Sequence, residues 1–161
     1  MEKTSEIADK LKNHLNDDVM EIKNPRDRRI FLRVKKDAFR KSLEYLMNDI
    51  GFKHLSTITG VDVGTEIELL YHLVLNDAIV LTLGYRVPKE NPITQTITDI
   101  VPSAVLYERE IHEMFGVNIE GHPNLIPLVL PEGWPQDVYP LRKDKQFEEL
   151  RKIALETVKE E

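Results

Sequence analysis

The sequence predicts an α+β fold: a single domain with a mainly antiparallel sheet flanked by helices, followed by an extended proline-rich C-terminal arm and a tail helix. Three observations predict it. Residues 66–75 and 78–87 alternate apolar and polar, setting Ile67, Leu69, Tyr71, Leu73 and Leu75 beside Ile79, Leu81, Leu83 and Tyr85 across Asn76-Asp77, the pattern of an antiparallel hairpin with a two-residue turn. Residues 37–50 and 103–115 carry apolar side chains at helical spacing, and each run stops on a glycine, Gly51 and Gly116, the position of a left-handed C-terminal cap. Residues 117–145 hold Pro123, Pro127, Pro131, Pro135 and Pro140 and the one tryptophan, Trp134. That is too much proline for a helix or central strand and too much apolar bulk for disorder.

Taken in order, Ile7, Ala8, Leu11 and Leu15 line one face of a first helix over residues 4–15. Residues 19–23 and 29–34 read as two short strands joined by a turn over Asn24-Pro25-Arg26-Asp27-Arg28. Asp37 stands at the N-cap position of the second helix, whose buried stripe is Phe39, Leu43, Leu46, Met47 and Ile50. The β-branched, threonine-rich run 52–63 predicts a strand ending in a turn at Asp62. After the hairpin, Pro88 and Pro92 break the sheet, and a threonine-rich link leads to the charged helix. Residues 1–116 thus form the α+β domain, 117–145 the arm and 146–161 the tail. The tail carries Phe147, Leu150, Ile153, Ala154 and Val158 on one side and a Glu148–Lys152 pair at i, i+4 spacing.

The charged helix and the arm hold most of the candidate site. Ala104, Tyr107, Ile111, Met114 and Phe115 fall in an apolar stripe, while Arg109, Glu110 and Glu113 lie on the far side with Leu106. Glu108 sits at the edge of the stripe and needs a partner, because an unpaired charge out of water costs several kcal/mol. A basic side chain is the expected one. The arm is longer than the ~12–15 residues usual for an unstructured connection. Its prolines lower the entropy lost on docking, so it reads as a strap over its own domain or a neighbour, with Trp134 as anchor.

Composition excludes several classes. A net charge of −6 argues against a general nucleic-acid binder, although Arg26, Arg28, Arg29, Arg33, Lys35 and Lys36 in the 26–36 segment leave RNA contact as an alternative. With no cysteine the chain carries neither a disulfide nor a thiolate-ligated cluster, so any electron-transfer role rests on cofactors in other chains. No apolar run approaches the ~20 residues of a membrane span. His112-Glu113 lacks the second histidine of the helical zinc motif, since Gly116 stands there. A looser metal site from Glu108, His112 and His122 leaves a small metal-dependent enzyme as a further alternative. No nucleophile elbow, phosphate loop or dinucleotide fingerprint is present.

The run from Glu108 to Gly116 (EREIHEMFG), then Glu120-Gly121-His122-Pro123, then Tyr139-Pro140-Leu141-Arg142-Lys143-Asp144 resembles the signature of the 30 kDa subunit family of respiratory complex I. That family also supplies subunits to membrane-bound nickel–iron hydrogenases and their relatives. The sequence departs from the usual pattern at Leu106, where a tryptophan is common, and at Ile126-Pro127, where basic residues are common. The resemblance implies a cofactor-free accessory subunit of a peripheral electron-transfer arm, packed against a hydrogenase-like large subunit. Iron–sulfur clusters, and nickel–iron where present, would reside in the partners. It further implies a peripheral place on the cytoplasmic side, with membrane contact only through partners and no nucleic acid. Glu108, Arg109, Glu110, Glu113, His122, Arg142, Lys143 and Asp144 would serve as ties within and between subunits. Phe115, Pro123, Trp134, Pro140 and Leu141 complete the expected interface.

Overall fold

The computed structural model describes residues 2–76 and 78–157. Five strands make the main sheet: β1 (Val19–Arg26), β2 (Arg29–Val34), β3 (His54–Asp62), β4 (Glu66–Leu75) and β5 (Ile79–Pro88), in the order β1-β2-β5-β4-β3. Their pairings are antiparallel, as the alternation predicts, with one exception. β2 and β5 run parallel, with Leu32 opposite Leu83, because the chain crosses over through a helix and two strands before returning beside β2. The alternating residues of β4 and β5 do face the core: Ile67, Leu73, Leu81, Leu83, Tyr85 and Val87 are fully buried.

Helices cover this face. α1 (Glu2–Leu15) lies against β1 and β2, and α2 (Phe39–Tyr45) against β5. From α2, Phe39 packs its ring against Tyr71 and Tyr85 at centroid distances of 4.5 and 4.3 Å. The charged helix, α3 (Ala104–Phe115), crosses β3. Phe115 comes so close to the β3 backbone that a Cβ at Gly60 would stand 2.5 Å from its ring. Phe115 is therefore a core residue at 4% exposure rather than part of an exposed interface.

Four local expectations are corrected. β1 continues through Pro25 to Arg26, tolerated on an edge strand with register shifts, so the turn narrows to Asp27 and Arg28, whose φ is 59°. Asp37 makes no N-cap hydrogen bond; Lys36–Ala38 forms a 3₁₀ turn before α2. After α2, Leu46–Ile50 widens into a π turn, in which the Gly51 and Phe52 N–H groups both reach the Leu46 carbonyl, at 3.0 and 2.9 Å. Across the hairpin Leu75 pairs with Ile79, one residue longer than a two-residue turn; Asp77 of the expected turn lies outside the described residues.

The threonine-rich link is not plain coil. β6 (Ile93–Gln95) pairs in parallel with β7 (Asn118–Glu120), burying Val117 and Ile119 in the core. Residues 117–120, expected at the start of the arm, are thus packed into the domain. Residues 121–146 form no helix or strand, and α4 (Phe147–Thr157) follows. On its predicted apolar side Leu150, Ile153 and Ala154 are half-buried and Phe147 is open at 74% exposure; Val158 lies outside the described residues. The ion pairs along α4 are Lys145–Glu149 and Lys152–Glu156, in place of Glu148–Lys152.

Candidate functional site

The site is built outward from α3. Its apolar stripe seats on the sheet, with Ala104, Ile111 and Phe115 buried. Gly116 ends it in the left-handed region at φ 71°, its N–H bonding the His112 carbonyl at 2.8 Å. Every turn of this helix then holds a piece of the chain that follows or precedes it.

Glu108 is almost wholly buried, at 1% exposure. Its partners are not the basic side chain expected but the Ile97 N–H at 2.8 Å and the Thr96 hydroxyl at 2.5 Å. Burial pushes its carboxyl up; those two donors and the nearby His122 oppose the shift without cancelling it. His122 accepts the Asn124 N–H at Nδ1, 3.1 Å, so Nε2 carries the hydrogen and donates to the Val105 carbonyl at 3.0 Å. Nε2 stands 3.9 Å from Glu108 Oε2.

The next residue, Arg109, donates from Nε to the Ile126 carbonyl at 2.8 Å and from Nη2 to the Pro127 carbonyl at 2.5 Å. Glu113, expected on a solvated polar face, is buried. Its carboxylate accepts three consecutive backbone N–H groups, from Leu128 at 3.1 Å, Val129 at 2.9 Å and Leu130 at 2.8 Å. Such a nest of amides satisfies the charge and makes its burial tolerable. Glu110 alone of the three charged residues of the ERE triplet is exposed.

The end of the arm returns to the C-terminus of α3. Tyr139 lies over Gly116 so closely that a Cβ there would overlap its ring. The Leu141 N–H reaches the Met114 carbonyl at 3.2 Å, and Arg142 Nε the Phe115 carbonyl at 2.7 Å, while the Arg142 guanidinium stacks over Tyr139. These bonds satisfy carbonyls that a helix end leaves without partners. Lys143 donates its N–H to Asp62 Oδ2 at 2.9 Å. Lys89 pairs with both Asp62, at 2.6 Å, and Asp144. Trp134 ties its Nε1 to the Val138 carbonyl at 2.8 Å.

The expected interface residues therefore divide. Glu108, Arg109, Glu113, His122, Arg142, Lys143 and Asp144 find partners within this chain. Glu110, Pro123 and Leu141 are exposed, and Trp134 and Pro140 are half-buried. What stands free around α3 is mostly apolar: Leu106, Ile126, Leu128 and Val129, at 40–60% exposure. Sequence reasoning missed Lys89, Thr96 and Ile97. Only Asp62 had a local signal, an Asp-Val-Gly turn whose Gly64 N–H bonds Asp62 Oδ1 at 2.8 Å.

The metal alternative finds no support in this geometry. Among the described residues no three His, Asp or Glu side chains converge. Both ring nitrogens of His122 are engaged, and His112 gives its Nδ1 hydrogen to the Val117 carbonyl at 2.9 Å.

Residues 32–150 match the family described as respiratory-chain NADH dehydrogenase, 30 kDa subunit. The chain is 38% identical over 119 residues to a subunit of the F(420)H(2) dehydrogenase of Methanosarcina mazei, spanning 72% of this chain and 75% of that one. It is 30% identical over 152 residues to the beta subunit of the membrane-bound hydrogenase of Pyrococcus furiosus, spanning 91% and 88%. A chain from the structure of membrane-bound sulfane sulfur reductase, an archaeal respiratory membrane complex, superposes with a TM-score of 0.77 at 30% identity, covering 93% of this chain and 90% of its own length. The trypsin-resistant fragment of Nqo5 superposes with a TM-score of 0.64 at 25% identity, covering 76% of this chain and 99% of the fragment. With the match running from β2 into α4, through every tie just described around α3, the chain belongs to the 30 kDa subunit family of the respiratory-chain NADH dehydrogenase.

Proposed function

We propose that this chain is a cofactor-free accessory subunit of the peripheral electron-transfer arm of a membrane-bound oxidoreductase, docked against a hydrogenase-like large subunit. The relatives named above as subunits of dehydrogenase and hydrogenase complexes support this reading. The observation that carries it is a set of exposed apolar side chains, Leu106 on α3 and Ile126, Leu128 and Val129 on the loop that Arg109 and Glu113 hold in one conformation. A loop fixed before binding loses little entropy on docking. Burying the open half of each side chain adds roughly 1 kcal/mol apiece.

Iron–sulfur clusters, and nickel–iron where the large subunit keeps the ligands for it, belong to the partners in this scheme. Among the described residues no helix is long and apolar enough to cross a membrane. Attachment to the cytoplasmic side through partner subunits follows as part of the proposal.

The test is a native purification through a tag on this chain, in mild detergent, with the co-purifying chains identified by mass spectrometry. A hydrogenase-like large subunit and iron–sulfur subunits in near-equal amounts are expected. Leu128→Glu combined with Val129→Glu should release them while leaving the circular dichroism spectrum intact. Recovery of the unaltered chain without any partner would overturn the proposal.

A further inference from the structure

The loop between the two anchor points on α3 borders an open-sided cleft of about 630 Å³, within the size range of small-ligand sites. One end is fixed by Arg109 and Glu113 and the other by Tyr139 seated on Gly116. Between them the chain doubles back through Gly133 and Asp137, both at positive φ, with the Trp134 N–H on the Pro131 carbonyl at 3.2 Å. The walls mix apolar side chains such as Leu130 and Trp134 with acidic ones, and three of their residues are prolines, which offer no N–H.

The charge of this cleft is one-sided. Its charged lining residues are Glu113, Glu132 and Asp137, with no lysine or arginine, in a chain that has 22 of them. Glu113 is already satisfied by three amides. Glu132 and Asp137 are exposed, and Asp137 accepts one bond, from the Tyr139 hydroxyl at 3.1 Å. The guanidinium groups that hold the loop do not face a ligand: Arg109 is committed to the Ile126 and Pro127 carbonyls, and Arg142 to the Phe115 carbonyl and the Tyr139 ring. Trp134, with its indole N–H tied to the Val138 carbonyl and its backbone N–H to Pro131, has its ring face left to offer. Two exposed carboxylates, of which only Asp137 accepts a bond from a side chain, and an indole face are complementary to a cation rich in donors.

We propose that this cleft receives a basic side chain, lysine or arginine, carried on a segment of the partner subunit. The inference rests on the docking reading above, because Ile126, which lines the cleft, is one of those exposed apolar side chains. They supply contact area; the cleft sets which partner fits and in what register, since a carboxylate in the same position would face Glu132 and Asp137.

The test uses the native complex. With p-benzoylphenylalanine replacing Gln136, which lines the cleft, irradiation should join this chain to one partner peptide that has a lysine or arginine within a few residues of the cross-link. A cross-linked peptide with neither, or cross-links only within this chain, would overturn the proposal. In parallel, Glu132→Lys with Asp137→Lys should weaken partner retention by about ten-fold, and reversing the charge of the cross-linked partner residue should restore it. Unchanged emission from Trp134, the only tryptophan, in the isolated variant checks that the loop still folds. If this variant keeps its partner while Leu128→Glu with Val129→Glu loses it, the cleft assignment fails and the docking reading stands. If neither loses it, both fail.

Discussion

The sheet and the loop that follows β7 are held by opposite means. In β4 and β5, stability comes from apolar side chains removed from water, with Ile67, Leu73, Leu81 and Leu83 at 0% exposure. In residues 121–146 Leu125, Leu130 and Trp134 are half-buried, but Ile126, Leu128, Val129 and Leu141 stand exposed, Val129 reaching 60%. This segment is fixed largely through its backbone, whose amides and carbonyls end on Glu113, Arg109, Asp62 and the C-terminal carbonyls of α3. A segment held by its backbone can keep its side chains free for a partner, and one held by burial cannot.

The largest expected effect breaks the sheet side of this contrast. Leu83→Ala leaves a cavity at the centre of β5 and should cost about 2–5 kcal/mol. Thermal melts followed by far-ultraviolet circular dichroism and by Trp134 fluorescence should both shift down, because the loop has no support without α3 on the sheet. A Trp134 transition that stays put would mean the loop is organised independently. Gly116→Ala acts on the other side. It adds roughly 1–2 kcal/mol of left-handed strain and drives a Cβ into the Tyr139 ring. Proteolysis within residues 126–142 should accelerate while the circular dichroism midpoint falls by less than for Leu83→Ala. Gly64→Ala is the control, because it shares the positive φ but has open space around it. Smaller still, Glu113→Gln keeps one acceptor but loses the charge, at about 1 kcal/mol. Faster amide exchange confined to Leu128, Val129 and Leu130 is the expected signature, and equal exchange across the sheet would contradict a local role.

How far these features were legible in the sequence follows the same division. Burial has a period, so the β4–β5 hairpin, the α3 stripe and the glycine stop at Gly116 could be read from spacing. The parallel β2–β5 pairing could not, because its partners are some fifty residues apart and alternate in the same way an antiparallel pair would. β6 and β7 are three residues each, too short for any period to register. Glu113 was misplaced for a sharper reason. Helical geometry sets its direction on α3, but what makes that direction buried is a loop fifteen to seventeen residues further on, whose bare amides have no residue type to announce them. Family resemblance flagged the residues around α3 as a group; only the geometry separates those tied within the chain from those left free.

The last effect appears only in acid, and it tests a side chain that serves both regions. Asp62 ends β3 and accepts the Lys143 N–H from the arm. Burial pushes its carboxyl up, yet Lys89 and the Gly64 and Lys143 amides outweigh burial and bring it down to about 2. A carboxyl held below its ordinary value of 3.8 contributes stability above that value and loses it as the pH falls through the folded-state value. The arm should therefore loosen between about pH 4 and about pH 2, read as rising Trp134 solvent exposure and faster cleavage by an acid-active protease. Glu108 has the opposite sign, since its raised carboxyl favours the folded state as it protonates; the Asp62 step is thus isolated by difference. Asp62→Asn should remove most of this acid transition while leaving a remnant from Asp144, which Lys89 also holds low. An unchanged transition in that variant would show that the arm is anchored through α3 alone.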